Sequence, residues 1–187
     1  MLSQRQCLCP SGLFAAILIL LLAVVTAPVL GGEETLTDGV PHVVNGAEPS
    51  GGVAGIPIWT TTPWTLPANM AVSLHPQLEY VLLSAPGRAL LVAAELAESC
   101  AQRYGLEEVE ILGRCRGQAL ENQMLQHCYL DRQVPVILGE HVTTEAGTGA
   151  VHTAPAHGQD DFIVGQEYGL EVYNPVGGNG VYLPETQ

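Results

Sequence analysis

Two stretches of the chain concentrate side chains able to bind and orient a polar substrate. The first is Trp59-Thr60-Thr61-Thr62-Pro63-Trp64-Thr65-Leu66-Pro67-Ala68-Asn69, which holds both tryptophans of the protein. On an extended backbone three successive threonines present hydroxyls to alternating faces, and each hydroxyl offers one donor and two acceptor sites. Pro63 and Pro67 then impose a rigid bend. As a bare pattern the triplet also suits an edge strand with β-branched filler. The second stretch is Gly147-Thr148-Gly149-Ala150-Val151-His152-Thr153-Ala154-Pro155-Ala156-His157-Gly158-Gln159-Asp160-Asp161. Here a β-prone run carrying His152 enters a Pro/Gly corner and delivers two carboxylates to the start of a helix. The positive end of the helix favours an ionised carboxylate at Asp161, which suits it to hold an ammonium group. Capping of the helix by Asp160 or Asp161 is the plainer alternative.

Other combinations carry less. His141, His152, His157 and Asp161 are the donor types of a zinc site. The His152–His157 spacing is not helical i,i+4, however, and Pro155 interrupts it, so no metal is expected. There is no G-x-S-x-G elbow for a Ser-His-Asp hydrolase, and neither a G-x-G-x-x-G following a strand nor a Walker loop. Cys128 beside His127 could form a thiolate, although a buried inert thiol is the commoner outcome. Arg114, Arg116 and Arg132 read as solvated surface, with phosphate contact as the alternative.

These groups must be positioned by short elements rich in turns. Ile56–Thr60, Met70–Leu74, Tyr80–Leu83, Ala89–Val92, Val109–Leu112, Val134–Leu138, Val142–Thr144, Ala150–Thr153 and Val181–Leu183 read as strands. Ala93, Leu96, Ala97, Cys100 and Tyr104 recur with helical period before Gly105, and Asp160–Tyr168 reads as a second short helix. Many short strands with two small helices predict an α+β domain around a closed or nearly closed sheet.

Composition sets the outer bounds. The 187 residues are 47% hydrophobic and 13% charged, a balance that fits a folded core and not a disordered chain. Six basic against 19 acidic residues give a net charge of −13, and all six bases are arginine. That disfavours sequence-independent binding along a nucleic-acid backbone, which needs several neutralising cations, while leaving room for a pocket that grips one nucleic-acid end. Five cysteines at irregular spacing make a poor disulfide framework, as in a reducing compartment. Residues 1–30 hold an unbroken apolar run, Leu13 to Val25, which fits a signal peptide better than a membrane span of about 20 residues. An anchor over residues 13–30 is the alternative. Residues 31–55, rich in Gly, Pro and acids, read as a linker, and the domain proper as residues 56–187.

Together, WTTTPWTLPAN and GTGAVHTAPAHGQDD, with the trailing GQEYGLEVYNPVGGNGVY, resemble the editing domain of isoleucyl-tRNA synthetase, a class I aminoacyl-tRNA synthetase. The likeness runs from about Ile58 to Leu183. The valyl and leucyl enzymes carry an Arg after the Thr pair, where this chain has Thr62, which favours the isoleucyl branch. The resemblance implies a β-barrel-like editing domain of the valyl/leucyl/isoleucyl type, with short peripheral helices, that hydrolyses valine misattached to the isoleucine tRNA. One methylene distinguishes the two amino acids by only about 1–3 kcal/mol, a limit for which this very synthetase is the standard worked example, so a second sieve is required.

By the same resemblance Asp161 holds the aminoacyl α-ammonium. Thr61 and Thr62 join it in the hydrolytic site, and Thr60, Thr65, Asn69 and Trp59 form the wall around the terminal adenosine and ester. His152 stands beside the side-chain pocket. No cofactor is implied for editing. ATP serves intact family members, whose H-I-G-H and K-M-S-K-S signatures do not occur in this sequence. The implied partners are the mischarged tRNA 3′ end and the rest of a synthetase, with the cytoplasm as the family location. A truncated editing domain is therefore expected. A non-catalytic tRNA-end binding module and an exported or anchored protein reusing the fold are the alternatives.

Overall fold

A computed structural model describes residues 19–25, 42–43, 54–60, 62–86 and 88–186. Its strands are β1 (Ile19–Val25), β2 (His42–Val43), β3 (Ala54–Trp59), β4 (Ala71–Leu74), β5 (Glu79–Ala85), β6 (Arg88–Ala93), β7 (Ile111–Arg116), β8 (Met124–Gln126), β9 (Gln133–Leu138) and β10 (Ala150–Thr153). Two helices, α1 (Ala97–Arg103) and α2 (Gln159–Glu167), complete the regular structure together with short 3-10 turns. The expected α+β class is what the chain adopts, as one mixed half-barrel sheet in the order β2-β7-β5-β6-β3-β10-β4-β9-β8, with β1 antiparallel to β3. The sequence-expected leader thus contributes one strand, Ile19–Val25, to the sheet. Apart from His42–Val43, the remainder of residues 1–53 lies outside the described residues.

Period-2 alternation explains the layers. In β5, Tyr80 points into a central cluster with Ile58, Val72, Leu74 and Val136, whereas Val81 and Leu83 face Leu90, Val92 and Cys100 under α1. In β4 and β9, Val72 and Val136 join the central cluster, while Ala71 and Ile137 face Val164 of α2. The sheet is therefore apolar on both faces, and each short helix covers one outer patch.

Three sequence expectations change. Val142–Thr144 is not a strand: Val142 N–H donates back to Gly139 O (3.3 Å), and the chain turns there. Val181–Leu183 is reduced to a single bridge between Tyr182 and Val176, because Gly177 N–H closes a tight loop onto Val181 O (2.8 Å). The helical run expected from Ala93 starts later, at Ala97, because Ala93 is still the last residue of β6, paired with Tyr80.

What brings β10 into the sheet is the segment Gly147-Thr148-Gly149. Both glycines have positive φ (+86° and +77°), a conformation costly for other residues. Thr148 Oγ1 donates to Pro57 O (2.6 Å) and Tyr80 Oη to Gly149 O (2.7 Å), while Ala93 N–H donates to Thr148 O (2.8 Å). A methyl on Gly149 would collide with Cβ of Ala93. Replacing Gly149 by alanine is expected to lower stability by about 2–4 kcal/mol through strain and overpacking. Urea denaturation measures this, and a loss under about 0.5 kcal/mol would refute the tight fit.

Candidate functional site

The sheet order decides where the threonines go. β10 lies between β3 and β4, parallel to β3 at Val151–Trp59 and antiparallel to β4, with His152 opposite Val72. The connection from β3 to β4 must therefore cross the end of β10, and it crosses as Thr60–Met70. Within it Pro63–Ala68 is a 3-10 helix with proline at its first turn, a shape that the two prolines suggested only as a bend. Met70 N–H then donates to Thr153 O (2.9 Å).

This crossing brings most of the expected wall together. Thr60 Oγ1 accepts from Thr62 N–H (3.1 Å), and the Thr62 hydroxyl lies 3.4 Å from the hydroxyls of both Thr60 and Thr65. Asn69 Nδ2 donates to Ala71 O (2.8 Å) and to Nδ1 of His152 (3.3 Å). A ring nitrogen that accepts leaves the proton on the other, so His152 Nε2–H points at Thr65 Oγ1, 3.0 Å away. The Thr65 hydroxyl donates its own hydrogen bond to Thr62 O (2.8 Å). Thr60, Thr65, Asn69 and His152 are buried, and Thr62 is only half-buried. Of these hydroxyls, Thr62's is the one with reach toward a ligand. Thr61 lies outside the described residues.

Electrostatics keep the ring uncharged. Burial, aided by the neighbouring His157 and His127, pushes the His152 imidazole down to about 4, so the ring is neutral at ordinary pH. Both of its nitrogens are engaged by protein groups, which leaves it no lone pair for a metal.

Asp161 sits in the first turn of α2 but does not cap it. The helix has no side-chain cap. Instead Asp161 Oδ2 accepts from Ala154 N–H (2.9 Å), two residues beyond His152 on the same chain segment. Burial raises its pKa above the ordinary carboxylate value, opposed by the Ala154 N–H and the nearby His141. Burial thus acts against the ionised form that the helix end was expected to favour. Asp160 goes elsewhere, lining a separate cavity of about 480 Å³ with Glu140, His141 and Glu167.

Trp59 is placed away from the hydroxyl network. Its side chain packs on Gly147, where a Cβ would lie 2.8 Å from the Trp59 Cβ, and the Arg103 guanidinium stands 4.9 Å from its ring centre. Two groups that sequence reasoning set aside reach the site's frame: His127 Nε2 bonds Leu66 O (3.1 Å) and Arg132 Nη2 bonds Pro67 O (2.8 Å). Arg132 is thus not the solvated cation expected. No local pattern marks it, because its partners lie some sixty residues earlier. Cys128 lies 3.8 Å from His127 Nδ1, and burial pushes its thiol up to about 11, so it is a thiol and not the thiolate considered from sequence.

Comparisons with known proteins place the chain in a family. A family profile described as "Leucyl-tRNA synthetase, editing domain" matches residues 48–181. Isoleucine–tRNA ligase of Alkalilimnicola ehrlichii is 58% identical over 143 residues, 76% of this chain and 15% of that protein. The Thioalkalivibrio sulfidiphilus enzyme is 62% identical over 136 residues, 73% of this chain and 14% of its own length. The chain thus spans about a seventh of these relatives. Among solved structures, the crystal structure of GlLeuRS-CP1 superposes with a TM-score of 0.55 at 17% identity, covering 76% of this chain and 57% of that one. The P. falciparum cytosolic leucyl-tRNA synthetase editing domain gives 0.51 at 14%, covering 59% and 44%. With the profile spanning most of its length and its threonine and aspartate segments folded into one frame, the chain belongs to the leucyl-tRNA synthetase editing-domain family, with isoleucine–tRNA ligases as its similar relatives.

Proposed function

We propose that this domain hydrolyses the ester of valine misattached to the isoleucine tRNA, as the editing part of an isoleucyl-type synthetase. The observation that carries the reading is the continuous network from Thr60 through Thr62, Thr65 and His152 to Asn69, with Asp161 tied to the same strand exit at Ala154. Asp161 holds the α-ammonium of the aminoacyl group, and the Thr62 hydroxyl, with Thr61, orients the ester and terminal ribose. His152, rigid and neutral, limits the side-chain pocket. The attacking group is a water. Thr65 is not an activated nucleophile, because the nitrogen facing it donates a proton and cannot take one. Catalysis then comes from orientation and from polar groups facing the developing oxyanion, with no cofactor or metal called upon.

The partners in this reading are the mischarged tRNA 3′ end and the remaining parts of a synthetase, in the cytoplasm. Among the described residues no helix is long and apolar enough to cross a membrane. The chain incubated with Val-tRNA(Ile) and Ile-tRNA(Ile) is expected to deacylate the valyl ester at least about tenfold faster, the order of discrimination one methylene supports. Equal rates would remove the specificity. Binding of the tRNA end without turnover would favour a binding module instead.

A further inference from the structure

The 3-10 helix Pro63–Ala68 ends in carbonyls that its own backbone leaves under-used, as helix C-termini do. Asn69 N–H reaches Leu66 O (3.0 Å). The other donors come from a single distant segment, the connection between β8 and β9. There His127 Nε2 bonds Leu66 O at 3.1 Å and Arg132 Nη2 bonds Pro67 O at 2.8 Å. The segment is itself closed: His127 N–H donates to Arg132 O (2.8 Å), and His127 Nδ1 accepts from Leu130 N–H (3.1 Å) and Tyr129 N–H (3.4 Å). Those acceptor contacts put the ring proton on Nε2, aimed at Leu66 O. His127 is 3% exposed. Arg132 is held on the far side by Met70 Sδ (3.5 Å), with the Tyr173 ring 6.0 Å away.

We infer that His127 and Arg132 are positioning residues of the hydrolytic site, clamping two consecutive carbonyls of the Pro63–Ala68 helix so that Thr65, one residue before the clamp, meets His152. Neither side chain hydrogen-bonds to Thr60, Thr62, Thr65, Asn69 or His152, so they act through the turn and not on the ester. The kinetic part of the inference rests on the editing reading, whereas the geometric part does not. Small displacements of orienting groups cost as much as about 100-fold in rate.

The test follows histidine ring nitrogens by NMR in the full chain and in His127→Ala, His127→Gln and Arg132→Met, alongside Val-tRNA(Ile) deacylation. The wild type should show His127 and His152 as Nε2–H tautomers. His127→Ala and Arg132→Met should lose the Thr65–His152 hydrogen-bond signature and raise the His152 titration midpoint by a unit or more. Their kcat should fall about 10- to 100-fold with KM changed less than about threefold. His127→Gln, whose amide N–H takes the place of Nε2–H, should restore the wild-type signals. Unchanged His152 signals and titration in both His127→Ala and Arg132→Met would overturn the inference. If His127→Ala fails to fold, Arg132→Met decides alone, and unchanged His152 signals and titration in it overturn the inference. A wild-type His127 carrying its proton on Nδ1 overturns the inference without any variant. A wild-type chain that folds but does not deacylate refutes the editing reading, and the NMR arm then decides the clamp by itself.

Discussion

Asp161→Asn is expected to lower kcat/KM for Val-tRNA(Ile) deacylation by at least about 30-fold while the domain stays folded. The asparagine carbonyl can still accept from Ala154 N–H, so the corner that Asp161 secures is kept. What disappears is the charge. A half-buried carboxylate facing an ammonium contributes about 2 kcal/mol or more when its partner is bound, which corresponds to that factor. The upward drift of the Asp161 pKa from burial does not oppose this, because an arriving cation pulls the carboxyl back toward its ionised form. Asp161→Ala should lose the same activity and also some stability, since the Ala154 N–H is then left without its acceptor. Thermal unfolding together with single-turnover deacylation separates the two effects. Activity within twofold of wild type in Asp161→Asn would sink the ammonium role.

Acidification should unfold the domain through His152. The folded imidazole has its pKa pushed down to about 4 against an unfolded value near 6.5. The unfolded chain therefore binds the extra proton first. Stability is complete above pH 6.5 and falls as the pH drops toward 4, by about 3 kcal/mol in all. His127 shifts in the same direction and adds to the loss, whereas Asp161, whose pKa is raised, acts in the opposite sense. Comparing urea denaturation of wild type and His152→Gln at pH 7 and pH 4.5 isolates the His152 share. An identical pH dependence in the two proteins would mean that His152 is not held neutral by burial.

Much of the strand pattern was legible. Tyr80–Leu83 and Val134–Leu138 read as short, largely apolar β-prone runs, and the pairing of Ala85 with Arg88 joins neighbours in sequence. The misreadings have local causes. Met124–Gln126 is three residues long, too short to show a period, yet it pairs with β9 in register. Val142–Thr144 has β-branched residues and a buried Val142, as a strand would, but its hydrogen bond back to Gly139 settles it as a turn. In the site, Thr60, Thr62, Thr65, Asn69 and His152 could be named from two motifs, but the bonds between them could not. Trp59 could be named too, yet its neighbours, Gly147 and Arg103, draw it to another surface.

The sequence by itself determined the inventory: which hydroxyls, imidazoles and carboxylates exist, that they are borne on short strands and a helix start, and the family whose motifs they match. Only the tertiary structure decided their protonation and their aim. The reason is that β10, some ninety residues after β3, is inserted between β3 and β4. That long-range pairing buries His152 beneath the threonine turn, and burial, a property of packing and not of residue type, is what makes it a neutral donor. The same packing carries Arg132, indistinguishable in sequence from a solvated cation, onto a carbonyl sixty-five residues away in the chain.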